Sequence, residues 1–134
     1  MERKIKAFIE IGEKLDYDIW LDPDVDTPFG LLGQGKTVSE AKEDFIDCYE
    51  EMRDLYHKTG KDFPEFEFEF VYDIPSFLKY SPFPLTWLSN ATGINKKQLS
   101  HYTTERKHPN RVTLGKIQNA VNNFVADFSQ VRFI

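Results

Sequence analysis

Apolar and polar residues alternate from residue 4 to residue 11, with Ile5, Ala7, Ile9 and Ile11 on one side and Lys4, Lys6 and Glu10 on the other. A period of two is that of a strand with one buried face. Tyr17, Ile19 and Leu21 repeat the pattern against Asp18, Trp20 and Asp22, so residues 12–16 are predicted to turn a hairpin, and a third short strand is expected over 29–34. From Val38 the period changes. Val38, Ala41, Phe45, Cys48, Met52 and Leu55 follow at spacings of three and four, one apolar stripe on a helix reaching about Lys58. Thr37 and Glu40 supply a capping box at its start, and Gly60 ends it. After Pro64, Phe66, Phe68, Phe70 and Tyr72 alternate with Glu65, Glu67 and Glu69, which predicts a last strand and the order βββαβ.

Pro75, Pro82 and Pro84 then punctuate the chain. A short helix is expected over 74–80, a second over 85–91 ended by Gly93, and a third capped by Asn95 and running from Lys96 to about Thr104. Two short helices around Thr92-Gly93-Ile94-Asn95 make a helix-turn-helix candidate, with Leu88, Ala91, Ile94 and Leu99 locking them together. A final helix from Thr113 carries Leu114, Ile117, Val121, Phe124 and Phe128 and continues to Val131. The prediction is α+β: a βββαβ domain over residues 1–73 and a small all-α domain over 74–134. The apolar stripe of the last helix is longer than so small a bundle requires, so Phe124, Phe128, Phe133 and Ile134 are expected to reach a second copy in a homodimer or higher homo-oligomer.

Charge sharpens this division. The 134 residues carry 17 Lys and Arg against 22 Asp and Glu, but residues 1–74 hold 9 against 20, net −11, and residues 75–134 hold 8 against 2, net +6. An acidic module joined to a basic one points to a nucleic-acid-binding second half. Uninterrupted apolar runs of two or three residues are far below the roughly 18 to 20 that cross a bilayer, so no membrane partner and a cytoplasmic location are expected. Cys48 is the single cysteine, which excludes an intrachain disulfide and a cysteine zinc cluster, and it is read as a small core hydrophobe. His57, with no Ser, Cys or second His near it in sequence, is assigned to the helix end.

Three patterns imitate catalytic or ligand sites. Gly30-Leu31-Leu32-Gly33-Gln34-Gly35-Lys36-Thr37 matches the phosphate-binding P-loop letter for letter, but an acidic loop precedes it where a buried parallel strand belongs. Asp22, Asp24 and Asp26 suggest a calcium loop, yet Thr27 stands at the sixth position and Gly33 at the twelfth, where glycine and a bidentate Glu are needed. Asp16, Asp18 and Asp22 could serve a metal-dependent nuclease only if the hairpin brought them to one face. No catalytic residue, metal or cofactor is therefore assigned. The residues suited to reading DNA are Asn95, Lys96, Lys97, Gln98, Ser100, His101 and Tyr102 on the second helix of the motif, with Arg106, Lys107, Asn110 and Arg111 set to hold the backbone.

At this point the residues resemble a known family. Tyr17-Asp18-Ile19, the stretch from Gly30 to Ala41 ending Gly35-Lys36-Thr37-Val38-Ser39-Glu40-Ala41, the long helix and the closing strand are similar to the HicB-type antitoxin domain. Leu85-Thr86-Trp87-Leu88-Ser89-Asn90-Ala91-Thr92-Gly93-Ile94-Asn95-Lys96-Lys97-Gln98-Leu99-Ser100 resembles the Cro-like helix-turn-helix. The segment from Leu21 to Phe29 departs from the family in being stretched and acidic, and Leu31 stands where a cysteine is common. The resemblance implies a degenerate RNase H-like domain without chemistry of its own. It would occlude a small, basic, mRNA-cleaving HicA-like toxin, while the second domain represses the operon by binding operator DNA. Two alternatives are an orphan DNA-binding transcriptional regulator without a toxin partner and a magnesium-dependent nuclease using Asp18 or Asp22.

Overall fold

A computed structural model describes residues 3–104 and 107–134. The protein is α+β, with a four-stranded mixed sheet and five helices among the described residues, and it divides into two compact units between Tyr80 and Ser81. No helix among the described residues is long and apolar enough to cross a membrane.

The first unit runs β1 (Arg3–Ile11), β2 (Tyr17–Leu21), β3 (Leu32–Gly35), α1 (Val38–Lys58), β4 (Phe66–Tyr72) and α2 (Ile74–Tyr80). The strand order is β3-β2-β1-β4, antiparallel except for the parallel pair β1 and β4. Helix α1 lies across one face. Ile5, Ala7, Ile9 and Ile19 meet Ala41, Phe45 and Tyr49 there, and Phe45, 0% exposed, takes the rings of Phe68 and Phe70 edge-on at 4.9 and 5.8 Å. Edge-to-face packing places the positive rim of one ring on the negative face of the next.

The buried line of α1 is Ala41, Phe45 and Tyr49, rotated from the expected stripe: Cys48 is half-buried and Leu55 is 53% exposed. Tyr49 takes the inward place because its hydroxyl finds partners, accepting the Phe66 N–H at 2.8 Å and lying 3.2 Å from the Glu65 carboxylate. Thr37 Oγ1 accepts the Glu40 N–H at 3.0 Å, and the Glu40 carboxylate accepts the Lys36 N–H at 2.8 Å. At the other end Gly60 (φ 71°) and Lys61 donate their N–H groups to the carbonyls of His57 and Tyr56, a left-handed stop that leaves His57 exposed.

Strand β3 begins three residues later than the sequence pattern suggests. Phe29 leaves the sheet to stack on Phe63 at 5.7 Å and to meet Tyr56 and Phe66 edge-on. In the strand itself glycine is required by close approach. A Cβ on Gly35 would lie 2.6 Å from the Ala41 nitrogen, and one on Gly33 would lie 2.7 Å from the Phe45 nitrogen.

Helix α2 belongs to the first unit, not to the second as the charge break implies, so this unit ends seven residues beyond the expected boundary at residue 73. The reason is local. The Ile11 N–H donates to Ser76 Oγ at 3.0 Å, the Asp73 N–H continues the ladder to Ile9 O at 2.8 Å, and the Phe77 ring lies 5.4 Å from that of Tyr72.

The second unit holds α3 (Leu85–Thr92), α4 (Lys96–Tyr102) and α5 (Arg111–Phe128). Its core is Leu88, Ile94, Leu99, Tyr102, Ile117 and Ala120. Beside it Phe124 meets Phe83 and Trp87 edge-on at 5.1 and 5.3 Å.

Candidate nucleic-acid interface

The connection from α3 to α4 is fixed by side chains as well as by glycine. Gly93 takes φ 76°, the left-handed region that residues with a Cβ avoid. Thr92 Oγ1 donates to Leu88 O at 2.6 Å and accepts the Ile94 N–H at 3.2 Å, while Ser89 Oγ donates to Ile94 O at 2.6 Å. Asn95 Oδ1 then accepts the Lys97 N–H at 2.8 Å and starts α4. Leu88, Ile94 and Leu99 lock the two helices as expected, but Ala91 is exposed and takes no part. The sequence pattern alone gives Ser89 and Thr92 no role. Their spacing to the glycine, four residues and one, is the signal that marks them as turn locks.

Over its seven residues α4 has two distinct faces. Lys96, Lys97, Ser100 and His101 are exposed, and at spacings of one, three and one they share a side of the helix. Leu99 and Tyr102 point into the core. Tyr102, expected among the reading residues, is only 3% exposed; three residues from Leu99 it lies on the buried face, so its ring cannot reach a base. Gln98 is half-buried and donates its side-chain N–H to Tyr102 Oη at 2.7 Å, which ties it to the core. Asn95 is exposed with its oxygen committed to the cap.

Lys107 is exposed. Arg111, expected in the loop, is the exposed first residue of α5, and Asn110 caps that helix by accepting the Thr113 N–H at 2.9 Å. Arg106 lies outside the described residues. Residues 81–134 contain 7 Lys and Arg against 2 Asp and Glu, and the sequence carries no acidic residue from 74 to 104. The exposed cations of α4 therefore act without a carboxylate on their own element or on α3, and a polyanion lying along this face would displace counterions rather than break ion pairs.

The imitations of catalytic sites resolve differently. In the P-loop-like segment the Gln34 N–H donates to Asp44 Oδ2 at 2.9 Å and the Lys36 N–H to the Glu40 carboxylate at 2.8 Å, so carboxylates already hold amides that a phosphate would use. Gly33 and Gly35 admit α1, whereas a Cβ on Gly30 would meet nothing within 4 Å. Asp22 Oδ1 accepts the Asp24 N–H at 3.0 Å in a turn, and Asp18 accepts from the Gln34 amide at 3.2 Å. Among the described residues no group of three or more His, Cys, Asp and Glu is placed to hold a metal ion.

Among the described residues of the first unit, two groups titrate away from their ordinary values. The Arg53 guanidinium is held above its usual value by its hydrogen bond to Glu65, at 3.0 Å, against the opposing effect of burial. The Tyr72 hydroxyl is pushed up by burial, with Tyr17 adding to the effect. Both shifts reinforce the protonated form that these side chains already hold at neutral pH. Compared with family models, curated proteins and solved structures, the chain matches none.

Proposed function

We propose that the protein is a HicB-type antitoxin and autorepressor: its acidic unit occludes a small basic toxin, its basic unit binds operator DNA, and it catalyses nothing. The observation that carries the reading is the exposed strip of Lys96, Lys97, Ser100 and His101, presented on a short helix by a left-handed turn. Two helices of eight and seven residues about such a turn suit a helix-turn-helix whose second helix enters the major groove. Lys96, Lys97, Ser100 and His101 would face base edges and phosphates, with Lys107 and Arg111 on the backbone.

The first unit supports its half of the reading by topology and charge. Three antiparallel strands, a parallel fourth and a helix across one face suit a degenerate RNase H-like domain. Residues 1–80 carry 10 Lys and Arg against 20 Asp and Glu, net −10, a potential that would speed encounter with a basic partner. Pairing of two copies through the end of α5 and the residues after it is supported by exposed Val125 and Phe128 on the helix and Val131 and Phe133 beyond it.

The test is co-expression with the product of the short reading frame beside its gene. Rescue of growth, co-purification of the two products, and salt-dependent binding of the full chain to the DNA upstream of the pair are the expected results. DNA binding without rescue or co-purification would make the protein an orphan transcriptional regulator.

A further inference from the structure

Helix α1 covers one face of the sheet. On the other face the strand register sets four apolar side chains in a single row across every strand: Val71 opposite Phe8, Phe8 opposite Trp20, and Trp20 opposite Leu32. The Phe8 and Trp20 rings stack at 4.9 Å and 25°; Phe8, Trp20 and Val71 are half-buried, each still partly open to solvent, and Leu32 is 49% exposed. Single exposed apolar residues are ordinary on a surface, but a contiguous row rimmed by polar groups marks a contact site.

The next row on this face sets Glu10 directly opposite Asp18. Like charges facing each other across an antiparallel pair destabilise a sheet. Here the two carboxylates are met by neutral donors alone, the Trp20 indole N–H at 3.2 Å from Glu10 and the Gln34 amide at 3.2 Å from Asp18. No Lys or Arg among the described residues lies within 4.0 Å of either. On the far side of the apolar row, by contrast, Lys4 opposes Glu67 and Lys6 opposes Glu69. The fold thus balances charge on one flank and leaves it unbalanced on the other.

We infer that this open face seats the basic partner protein, with an apolar side chain on the Phe8–Trp20 stack and a Lys or Arg between Glu10 and Asp18. The inference rests on the antitoxin reading and adds to it the surface that grips the toxin. A second copy of this chain fits the face less well, because Glu10, Asp18, Glu67 and Glu69 outnumber Lys4 and Lys6 on it, so two copies would bring together faces of like net charge.

The experiment measures binding of the full chain to the co-expressed product of the adjacent reading frame. Trp20→Ser and Glu10→Lys should each weaken that binding by about 30-fold, the scale of a central anchor. Glu43→Lys with Glu50→Lys, on the exposed side of α1, should change it less than about threefold, as rim charges do. Glu10→Lys should meanwhile keep DNA binding and raise the melting temperature by about 1 to 5 °C, since it relieves the like-charge pair; a merely structural role for Glu10 would lower it. Tight binding by both face variants, or equal loss from the α1 control, overturns the assignment of the face and leaves the antitoxin reading intact. A Trp20→Ser protein that loses self-association and keeps the toxin also overturns it. If the unsubstituted chain does not bind the product at all, the antitoxin reading fails and the inference falls with it.

Discussion

The unit ending at Tyr80 and the unit beginning at Ser81 solve the burial problem with different materials. The first fills its core with large rings, Phe45 beneath Phe68 and Phe70 and Tyr49 against Phe63, and spends its acidic residues on the surface. The second is built on Leu88, Ile94 and Leu99, with its turn held by hydroxyls and a glycine, and its described Lys and Arg residues are exposed. Large interlocked rings make a rigid platform of a sheet. A short helix presented by a tight turn has a position that depends on a few hydrogen bonds. Stability and binding should therefore respond to substitution separately in the two units, and Trp20 and Trp87 provide one fluorescent reporter in each.

The largest effect expected is from Phe45→Ala. Removing a fully buried ring from between two others costs about 3–5 kcal/mol, lost transfer energy plus a cavity. Urea unfolding should show the Trp20 transition moving to lower denaturant while the Trp87 transition stays in place. If both move together, the two units unfold as one and the comparison breaks.

A smaller effect separates packing from phosphate binding in the glycine-rich segment. Gly33→Ala drives a methyl group into the backbone of α1 and should cost about 1–3 kcal/mol in the same Trp20 transition. Gly30→Ala, at the first glycine of the P-loop-like pattern, enters open space and should leave stability within about 0.5 kcal/mol of the unsubstituted protein. The opposite order would mean that the pattern is kept for a ligand.

In the second unit, Lys96→Ala with Lys97→Ala should weaken operator binding about tenfold and lower the slope of log affinity against log salt by about 1.8, since each phosphate that a lysine neutralises adds about 0.9 to it. The Trp87 transition should not move, because both side chains are exposed. An unchanged slope would remove α4 from the interface.

The sequence made the elements legible wherever a period ran long enough. Helix α1, strand β4 and helix α2 begin and end where alternation, the capping box and the prolines put them. It misleads at amphipathic residues. Tyr49 and Tyr56 drop out of the α1 stripe because a hydroxyl makes tyrosine look polar, while Leu55 falls within the stripe and lies in solvent. Tyr102 fails in the same way, resembling a polar reader when its spacing from Leu99 places it inside. Hydropathy puts Phe29 in a strand, but its ring is drawn off by Phe63, a partner 34 residues away that no local pattern contains. Charge misplaces the boundary, since α2 carries no acid and yet is tied to β1 through Ser76. Nor can the row of Val71, Phe8, Trp20 and Leu32 be seen in the sequence, because it exists only once strand register is known.

The smallest effect tests how far the proposed DNA-binding strip depends on its turn. Asn95 accepts the Lys97 N–H and sits next to the exposed cations, so a simple loss-of-function substitution would confuse its two parts. Asn95→Ala removes the cap and should cost about 1 kcal/mol in the Trp87 transition. Asn95→Asp keeps a capping oxygen of equal quality and should restore that stability. It also places a negative charge beside Lys96 and Lys97, so DNA affinity should fall although the fold is as stable as before, and raising the salt should shrink the difference. If Asn95→Asp restores DNA binding along with stability, Asn95 acts on DNA only through the helix it starts; if affinity stays low while stability returns, the strip beginning at Lys96 lies directly against phosphate.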